Sequence, residues 1–153
     1  MSIVVWRIVK RKYEATAFDG EGASKYGGRW NSPGKRVVYT AGSKSLALLE
    51  LLVYLDSSVL SSYVVIPVTF SDALLSQVDI LTLTPDWKGH PAPVELREMG
   101  DRWLEYFGSA VLRVPSAIVP DESNYLINPD HSDFSSVEIG EPVPFEIDLR
   151  LLR

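Results

Sequence analysis

The sequence predicts a fold of the α+β class, because its strand segments outnumber its helical segments and do not alternate regularly with them. Apolar segments rich in β-branched and aromatic residues predict strands over 4–9, 36–40, 63–70 and 110–119. The tail over 143–152 alternates strictly between apolar and polar residues, which is typical of a half-buried strand in an antiparallel or mixed sheet. Pro67 suggests an edge position or a bulge, and Pro115–Ser116 interrupts the strand that contains it.

Two segments are predicted to be helices. The first, over 46–55, follows the turn-forming sequence AGSKS, which also offers a serine as N-cap. The second, over 93–107, places most of its apolar side chains on one face. Residues 18–34 hold a cluster of glycines and predict a long, ordered loop.

Length and composition indicate an ordinary globular chain. With 153 residues, one domain over 1–153 is expected. Hydrophobic residues make up 46% and charged residues 23%, so a core can form without disulfides or metals. The chain has no cysteine, which excludes a disulfide scaffold, a thiolate zinc site and a cysteine nucleophile, and which agrees with a cytoplasmic location.

Charge and hydropathy argue against two classes of partner. The net charge of −5 opposes non-specific attraction to nucleic acid. No apolar run approaches the ~20 residues of a membrane span, and the N-terminus lacks the pattern of a signal peptide. The two histidines, His90 and His131, are too isolated for a histidine-rich metal site, so no metal is expected.

Five polar residues occupy apolar or tightly turned settings: Arg7, Arg29, Tyr39, Glu50 and Ser116. Glu50 stands alone in an apolar helix, where an ionised carboxylate is costly unless it is paired. It therefore has a buried partner, lines a cavity or faces water. Arg29 follows two glycines that let the backbone approach a ligand closely, and its guanidinium suits a phosphate.

The other residues also have plain structural interpretations. Arg7 is expected to form a salt bridge across the sheet, Tyr39 to be a core aromatic and Ser116 to form a turn. Together, however, the five residues suggest a cleft for an anionic ligand with one carboxylate near its reacting centre. Cleavage of a glycosidic bond fits, because a carboxylate stabilises its oxocarbenium-like transition state. Nicotinamide leaving from NAD+ would need no protonation by a second carboxylate.

The segments WRI, FDGEGASKYGGRWNSPGKRVVYTAGSKSLALLELLVYL, GDRWL and VPSAIVPDESNYLINPDH closely resemble the RES-domain family, named for its Arg, Glu and Ser. The resemblance implies an ADP-ribosyltransferase-like fold, a split β-sheet core with flanking helices. It also implies the toxin of a type II toxin–antitoxin pair, whose antitoxin is an Xre-type protein with a helix-turn-helix. Members of the family deplete NAD+ by hydrolysis or phosphorolysis, and at least one branch modifies proteins with ADP-ribose.

The resemblance also implies roles for the five residues. Glu50 would hold a ribose hydroxyl and stabilise the oxocarbenium ion, while Arg29 and Arg7 would bind the pyrophosphate or the ribose. Tyr39 would stack near the nicotinamide, and Ser116 would bind the carboxylate or the nicotinamide side. NAD+ would be a substrate rather than a cofactor, with inorganic phosphate as a possible co-substrate.

Three functions remain open at this stage: NAD+ cleavage, ADP-ribosylation of a protein, and nucleotide binding without catalysis. Asn124 and Tyr125 lie in the family-like block NYLINP and receive no role.

Overall fold

A mixed β-sheet forms the centre of the chain. The computed structural model describes residues 1–55 and 61–152. Within them the strands are β1 (Ser2–Lys10), β2 (Val38–Ala41), β3 (Tyr63–Ser71), β4 (Leu75–Gln77), β5 (Val111–Pro115), β6 (Ser123–Ile127), β7 (Glu138–Ile139) and β8 (Val143–Phe145). The α-helices are α1 (Glu21–Tyr26), α2 (Lys44–Leu52) and α3 (Val94–Glu105). The predicted α+β class is confirmed.

The sheet is split between β1 and β2. The strand order is β4-β5-β6-β2-β1-β3-β7, with β8 also paired to β3, and β4–β5 is the parallel pair. β1 pairs with β3 along its whole length, whereas β1 and β2 share the single register pair Trp6↔Ala41. The two halves of the sheet therefore diverge beside this pair, in agreement with the split sheet that the family resemblance implies.

Alternating side chains place hydrophobic clusters on both faces of the sheet. One face buries Val5, Phe70, Val111 and Ile127 with their neighbours. The other face packs under α3 and the loop around Trp30, and its buried members include Leu112, Val114, Leu126, Leu96 and Trp103. A third cluster holds α2 against the sheet through Leu46 and Ala47.

The backbone of α3 lies directly against the Trp30 loop. A Cβ atom added to Gly100 would lie 1.7 Å from the Trp30 carbonyl oxygen, so only glycine permits this approach. The loop that precedes β2 is thereby fixed by the core.

The two predicted helices are confirmed, with shifted ends. α2 begins at Lys44 because the Ser43 Oγ accepts a hydrogen bond from the Leu46 N–H at 3.0 Å, which is an N-cap. It ends at Leu52 instead of residue 55. The predicted loop over 18–34 was wrong in one respect, since it contains the short helix α1.

The prediction for Pro67 was wrong in both of its forms. β3 has partners on both sides, and Pro67 pairs with Trp6 in regular register, without a bulge. On the outer side, β8 covers Tyr63–Val65 and β7 covers Val68–Thr69. Pro67 lies just outside both ranges, where its carbonyl accepts the Gly140 N–H at 2.8 Å. This contact uses the carbonyl group of Pro67 and not the N–H that proline lacks.

The tail is a strand only at its start. β8 ends at Phe145, and Leu149–Leu152 forms a 3₁₀ turn. The Asp148 carboxylate accepts the Arg150 backbone N–H at 2.9 Å and pairs with the Arg150 guanidinium at 2.7 Å. These local bonds compete with the hydrogen bonds of a strand. The alternation of apolar and polar residues was therefore not sufficient to predict the structure of the whole tail. β6 and the short β4 and β7 were not predicted.

Candidate active site

A cavity of about 420 Å³ opens where β1 and β2 diverge. Its volume lies in the usual range of small-molecule sites, ~300–1,000 Å³. Its walls come from β1, β2, α2 and the loop before β2, and they include four of the predicted residues: Arg7, Arg29, Tyr39 and Glu50. The fifth, Ser116, is buried directly behind Glu50.

Glu50 projects from α2 into this cavity and is half-buried. Its Oε1 accepts a hydrogen bond from the Ser116 Oγ at 2.9 Å. Among the described residues Glu50 has no ion-pair partner, so the interpretation as half of a structural ion pair finds no support. Of the alternatives that the sequence left open, the structure supports two together: Glu50 lines a cavity and has a buried hydrogen-bond partner in Ser116.

Ser116 holds Glu50 and also forms a turn. It follows β5, and its Oγ accepts the backbone N–H groups of Ile118 and Val119 at 3.1 Å each. With its acceptor positions occupied by backbone donors, the hydroxyl has its one hydrogen to give. That hydrogen goes to Glu50. The turn thus sets the direction of the hydroxyl.

Arg7 joins β1 to β2 and to the loop before α1 through its side chain. Its Nε donates to the Ala17 carbonyl at 2.8 Å and its Nη1 to the Tyr39 carbonyl at 2.9 Å. The predicted salt bridge across the sheet was wrong, since within the described residues the guanidinium binds carbonyl groups. Desolvation lowers the pKa of Arg7 to about 10, opposed by the charge of Asp19. Arg7 therefore remains a cation at neutral pH.

Arg29 is anchored through one end of its guanidinium. Its Nη1 donates to the carbonyl groups of Trp87 and Gly89, both at 3.0 Å. In residues 1–55 and 61–152, its Nε and Nη2 have no protein partner. Because Arg29 lines the cavity, these groups are available to an anionic ligand.

Tyr39 is tied to the loop by its hydroxyl group. The Oη donates to the Asn31 Oδ1 at 2.6 Å and accepts the Trp30 backbone N–H at 3.1 Å. A Cβ atom on Gly28 would lie 2.7 Å from this Oη, which explains the glycine there. Burial raises the pKa of Tyr39, so the phenol is neutral. Tyr39 also lines the cavity, and its hydroxyl group is occupied by bonds within the protein.

Comparisons with known proteins show the family of this chain. A family model described as the RES domain matches residues 4–148. The chain belongs to the RES-domain family of toxins. "Toxin Res" of Yersinia enterocolitica is 39% identical to this RES domain over 151 residues, which cover 97% of the chain and 99% of the relative. "Prs ADP-ribosylating toxin" of Sphingobium is 37% identical over 160 residues, covering 100% and 99%.

A solved structure shows the same fold. A chain in the crystal structure of the M. tuberculosis MbcT–MbcA toxin–antitoxin complex superposes on this RES domain with a TM-score of 0.77 at 16% sequence identity. The match covers 95% of this chain and 85% of that one.

Sequence reasoning missed Asn31 and gave no role to Asn124. Asn31 is fully buried, and its Nδ2 donates to the carbonyl groups of Ala23 and Lys35 at 2.9 and 3.1 Å. An asparagine in a polar loop gives no sign of burial, so no sequence signal marked it. Asn124 lines the cavity. Its neighbour Tyr125 belongs to the core and packs on Phe70 with ring centroids 6.0 Å apart.

Other kinds of site find no support in the described residues. They contain no group of three or more His, Asp or Glu side chains that could hold a metal ion. No helix among them has the length and apolarity to cross a membrane.

Proposed function

We propose that this RES domain is the toxin of a type II toxin–antitoxin pair and that it cleaves the nicotinamide–ribose bond of NAD+. The observation that carries the proposal is the state of Glu50. One carboxylate oxygen is held by Ser116, and the other has no partner among the described residues. Both arginines of the site line the same cavity. A fixed carboxylate beside two cations matches a substrate that combines a pyrophosphate with a cationic leaving group.

In the proposed reaction the bond between the ribose C1′ and the pyridinium nitrogen breaks, and its electron pair leaves with nicotinamide. Nicotinamide is neutral after it departs, so no general acid is required. The ribose becomes oxocarbenium-like, and the negative charge of Glu50 stabilises it. Water or inorganic phosphate then adds to C1′ and loses its proton, giving ADP-ribose or its 1″-phosphate.

Arg29 and Arg7 are proposed to bind the pyrophosphate or the ribose. Each spends only part of its guanidinium on protein carbonyl groups. Those bonds fix the orientation of the planar group before the ligand arrives, which lowers the entropy cost of binding. Tyr39 is proposed to contribute its ring as a surface near the nicotinamide, because its hydroxyl is occupied.

A second candidate reaction is transfer of ADP-ribose to a protein. It has a specific observation in its favour: the Sphingobium relative is named an ADP-ribosylating toxin and aligns over the whole chain. The two reactions share the cleavage step and differ in the acceptor, so Glu50 has the same role in both.

An antitoxin is the partner that such an enzyme needs, and we propose an Xre-type protein that covers the cavity. Tyr54 supports a protein partner at this place, because it lines the cavity and is 78% exposed. Large exposed aromatic side chains are enriched at protein interfaces. Expression of the chain alone should stop growth and lower cellular NAD+, and normal growth with unchanged NAD+ would contradict this.

The deciding experiment incubates the purified chain with NAD+, with and without phosphate, and quantifies nicotinamide, ADP-ribose and its 1″-phosphate. We expect nicotinamide release by the wild type and its loss in Glu50→Gln. The exposed Glu98→Gln variant on α3 is the matched control and should behave as the wild type. Saturable binding of NAD+ without product would favour a non-catalytic nucleotide-binding protein. Nicotinamide release only in the presence of a protein acceptor would favour ADP-ribosylation.

A further inference from the structure

Asn124 is a cavity side chain that the proposed reaction leaves without a role. It lies on β6 and lines the cavity, yet its Oδ1 is buried with no hydrogen-bond partner in residues 1–55 and 61–152. A buried acceptor without a donor costs free energy, and most such atoms in folded proteins are satisfied. The described residues thus leave the Asn124 amide unpaired, and a ligand in the cavity that this residue lines can supply the partner.

Strand register places Asn124 at the end of the cavity that holds Glu50. Asn124 pairs with Ala41, which also lines the cavity. Its neighbour Ser123 pairs with Pro115, the last residue of β5. The next residue, Ser116, donates to Glu50.

The amide of Asn124 can present its oxygen to a ligand at little cost to the fold. Rotation about the Cβ–Cγ bond exchanges Oδ1 with Nδ2 and so turns Oδ1 toward the cavity. Neither atom has a hydrogen bond to the described residues, so the exchange breaks none. An ionised phosphate offers only acceptors to this atom, so the pyrophosphate cannot satisfy it. The ligand group must carry an N–H or O–H donor.

We propose that Asn124 determines specificity for the leaving group, with Oδ1 accepting an N–H of the nicotinamide carboxamide. This inference rests on the proposed cleavage of NAD+. The carboxamide is the part of the leaving group that carries N–H donors, and Glu50 at the same end is assigned to the reacting ribose. A primary amide also matches an asparagine side chain, because each carries both a donor and an acceptor.

The test compares NAD+ with its 3-acetylpyridine analogue, in which a methyl group replaces the carboxamide NH₂. Dissociation constants are measured by calorimetry in the Glu50→Gln background, so that turnover does not interfere. We expect Glu50→Gln alone to prefer NAD+ by about tenfold, the scale of one buried group left unpaired. Adding Asn124→Ala should reduce the preference to about twofold or less.

Leu51→Ala in the same background is the matched control. Leu51 lines the cavity without a polar group, so its truncation should weaken both dinucleotides alike and keep the preference. Asn124→Leu retains the side-chain volume and replaces Asn124→Ala if that variant does not fold.

A preference that survives both Asn124 variants would overturn the inference. Equal weakening of both dinucleotides would also overturn it, because it would assign Asn124 to a ribose hydroxyl or to general packing. Nicotinamide release by the wild type is measured separately. If NAD+ binds but is not cleaved, the proposed function fails, while the binding comparison still decides the role of Asn124.

Discussion

Two walls of the cavity differ in whether their polar groups are hydrogen-bonded within the protein. The first wall is formed by β2 and the loop before it. There the Tyr39 hydroxyl group, the Asn31 Oδ1 and the Trp30 N–H are hydrogen-bonded to one another. On the wall formed by α2 and β6, Glu50 keeps one carboxylate oxygen without a partner among the described residues, and the Asn124 Oδ1 has none. The first arrangement maintains a shape. The second leaves hydrogen-bonding groups that a ligand in the cavity can use.

The difference separates residues that build the site from residues that act in it. A polar side chain whose bonds all stay within the protein contributes to stability, and its removal leaves orphaned partners. A polar side chain held on one side and open on the other costs stability and contributes to activity. Arg29 falls between the two classes, since one nitrogen binds the loop of Trp87 and the rest of the fork is open.

The largest expected effect is at Glu50. Glu50→Gln keeps the shape and the contact with Ser116 but removes the negative charge. Nicotinamide release should fall by ~100-fold or more, the scale seen when one preorganised electrostatic group is lost. Steady-state assays of this variant and of Glu98→Gln measure the effect, and equal rates in the two variants would remove Glu50 from the reaction.

Arg29→Lys should have the next largest effect. Lysine keeps the charge but cannot hold two carbonyl groups and a ligand with one planar fork. We expect kcat/KM to fall by more than about tenfold, equivalent to ~1.4 kcal/mol or more of transition-state stabilisation. The exposed Arg102→Lys variant is the control. Unchanged activity in Arg29→Lys would show that Arg29 only builds the site and does not bind the substrate.

Ser116→Ala tests whether Ser116 positions Glu50. Loss of the hydroxyl leaves the carboxylate without its fixed donor and the N–H groups of Ile118 and Val119 without their acceptor. We expect kcat to fall by about five- to tenfold with KM little changed, because misplacement of a reacting group affects the transition state most. A change in melting temperature with unaltered kcat would show that Ser116 only forms the turn.

Tyr39→Phe should have the smallest effect on rate and a clear effect on stability. The ring remains, so we expect the rate to change by less than about threefold. The Asn31 Oδ1 and the Trp30 N–H lose a partner, which should cost ~1–2 kcal/mol of unfolding free energy. A loss of rate comparable with that of Glu50→Gln would give the hydroxyl a role in the reaction and abolish the distinction between the walls.

The pH dependence of the unfolding free energy of Tyr39→Phe also tests whether the Tyr39 hydroxyl group is structural. The folded pKa of Tyr39 is raised above its unfolded value, so the folded state binds the phenolic proton more tightly. The stability that depends on Tyr39 is therefore fully present below about pH 10 and is lost as the pH rises further. Denaturant unfolding of wild type and Tyr39→Phe should show a stability difference that narrows above pH 10. A constant difference would contradict the burial of the phenol.

The sequence predicted the elements that depend on local pattern. The amphipathic face of α3 and the serine N-cap of α2 required no tertiary information. The prediction of a strand over the whole tail failed because the tail pairs with β3 only over Tyr63–Val65, and the sequence does not show the extent of such long-range pairing. Beyond that pairing, Asp148 and Arg150 form a local turn. The divergence of β1 and β2, which opens the cavity, is likewise a matter of pairing that no single segment reveals.

The residues of the site also divide into those that the local sequence predicts and those that depend on the tertiary fold. Residues that are anomalous in their own segment, such as Glu50 and Arg29, could be selected from the sequence and were brought to one cavity. Asn31 could not, because its burial depends on the loop closing over it. The salt bridge predicted for Arg7 was wrong for the same reason, since its partners, the carbonyl groups of Ala17 and Tyr39, are brought to it only by the tertiary fold.

The most direct test of the distinction between the two walls is the unfolding free energy of Glu50→Gln, measured on the preparation used for nicotinamide release. A charge held for function should destabilise the fold, so we predict a stability equal to or above that of the wild type together with the loss of turnover. A structural role predicts the reverse, a loss of ~1–3 kcal/mol as the charge-assisted hydrogen bond from Ser116 weakens. A Glu50→Gln variant that unfolds easily and still cleaves NAD+ would contradict the role of Glu50 in the reaction.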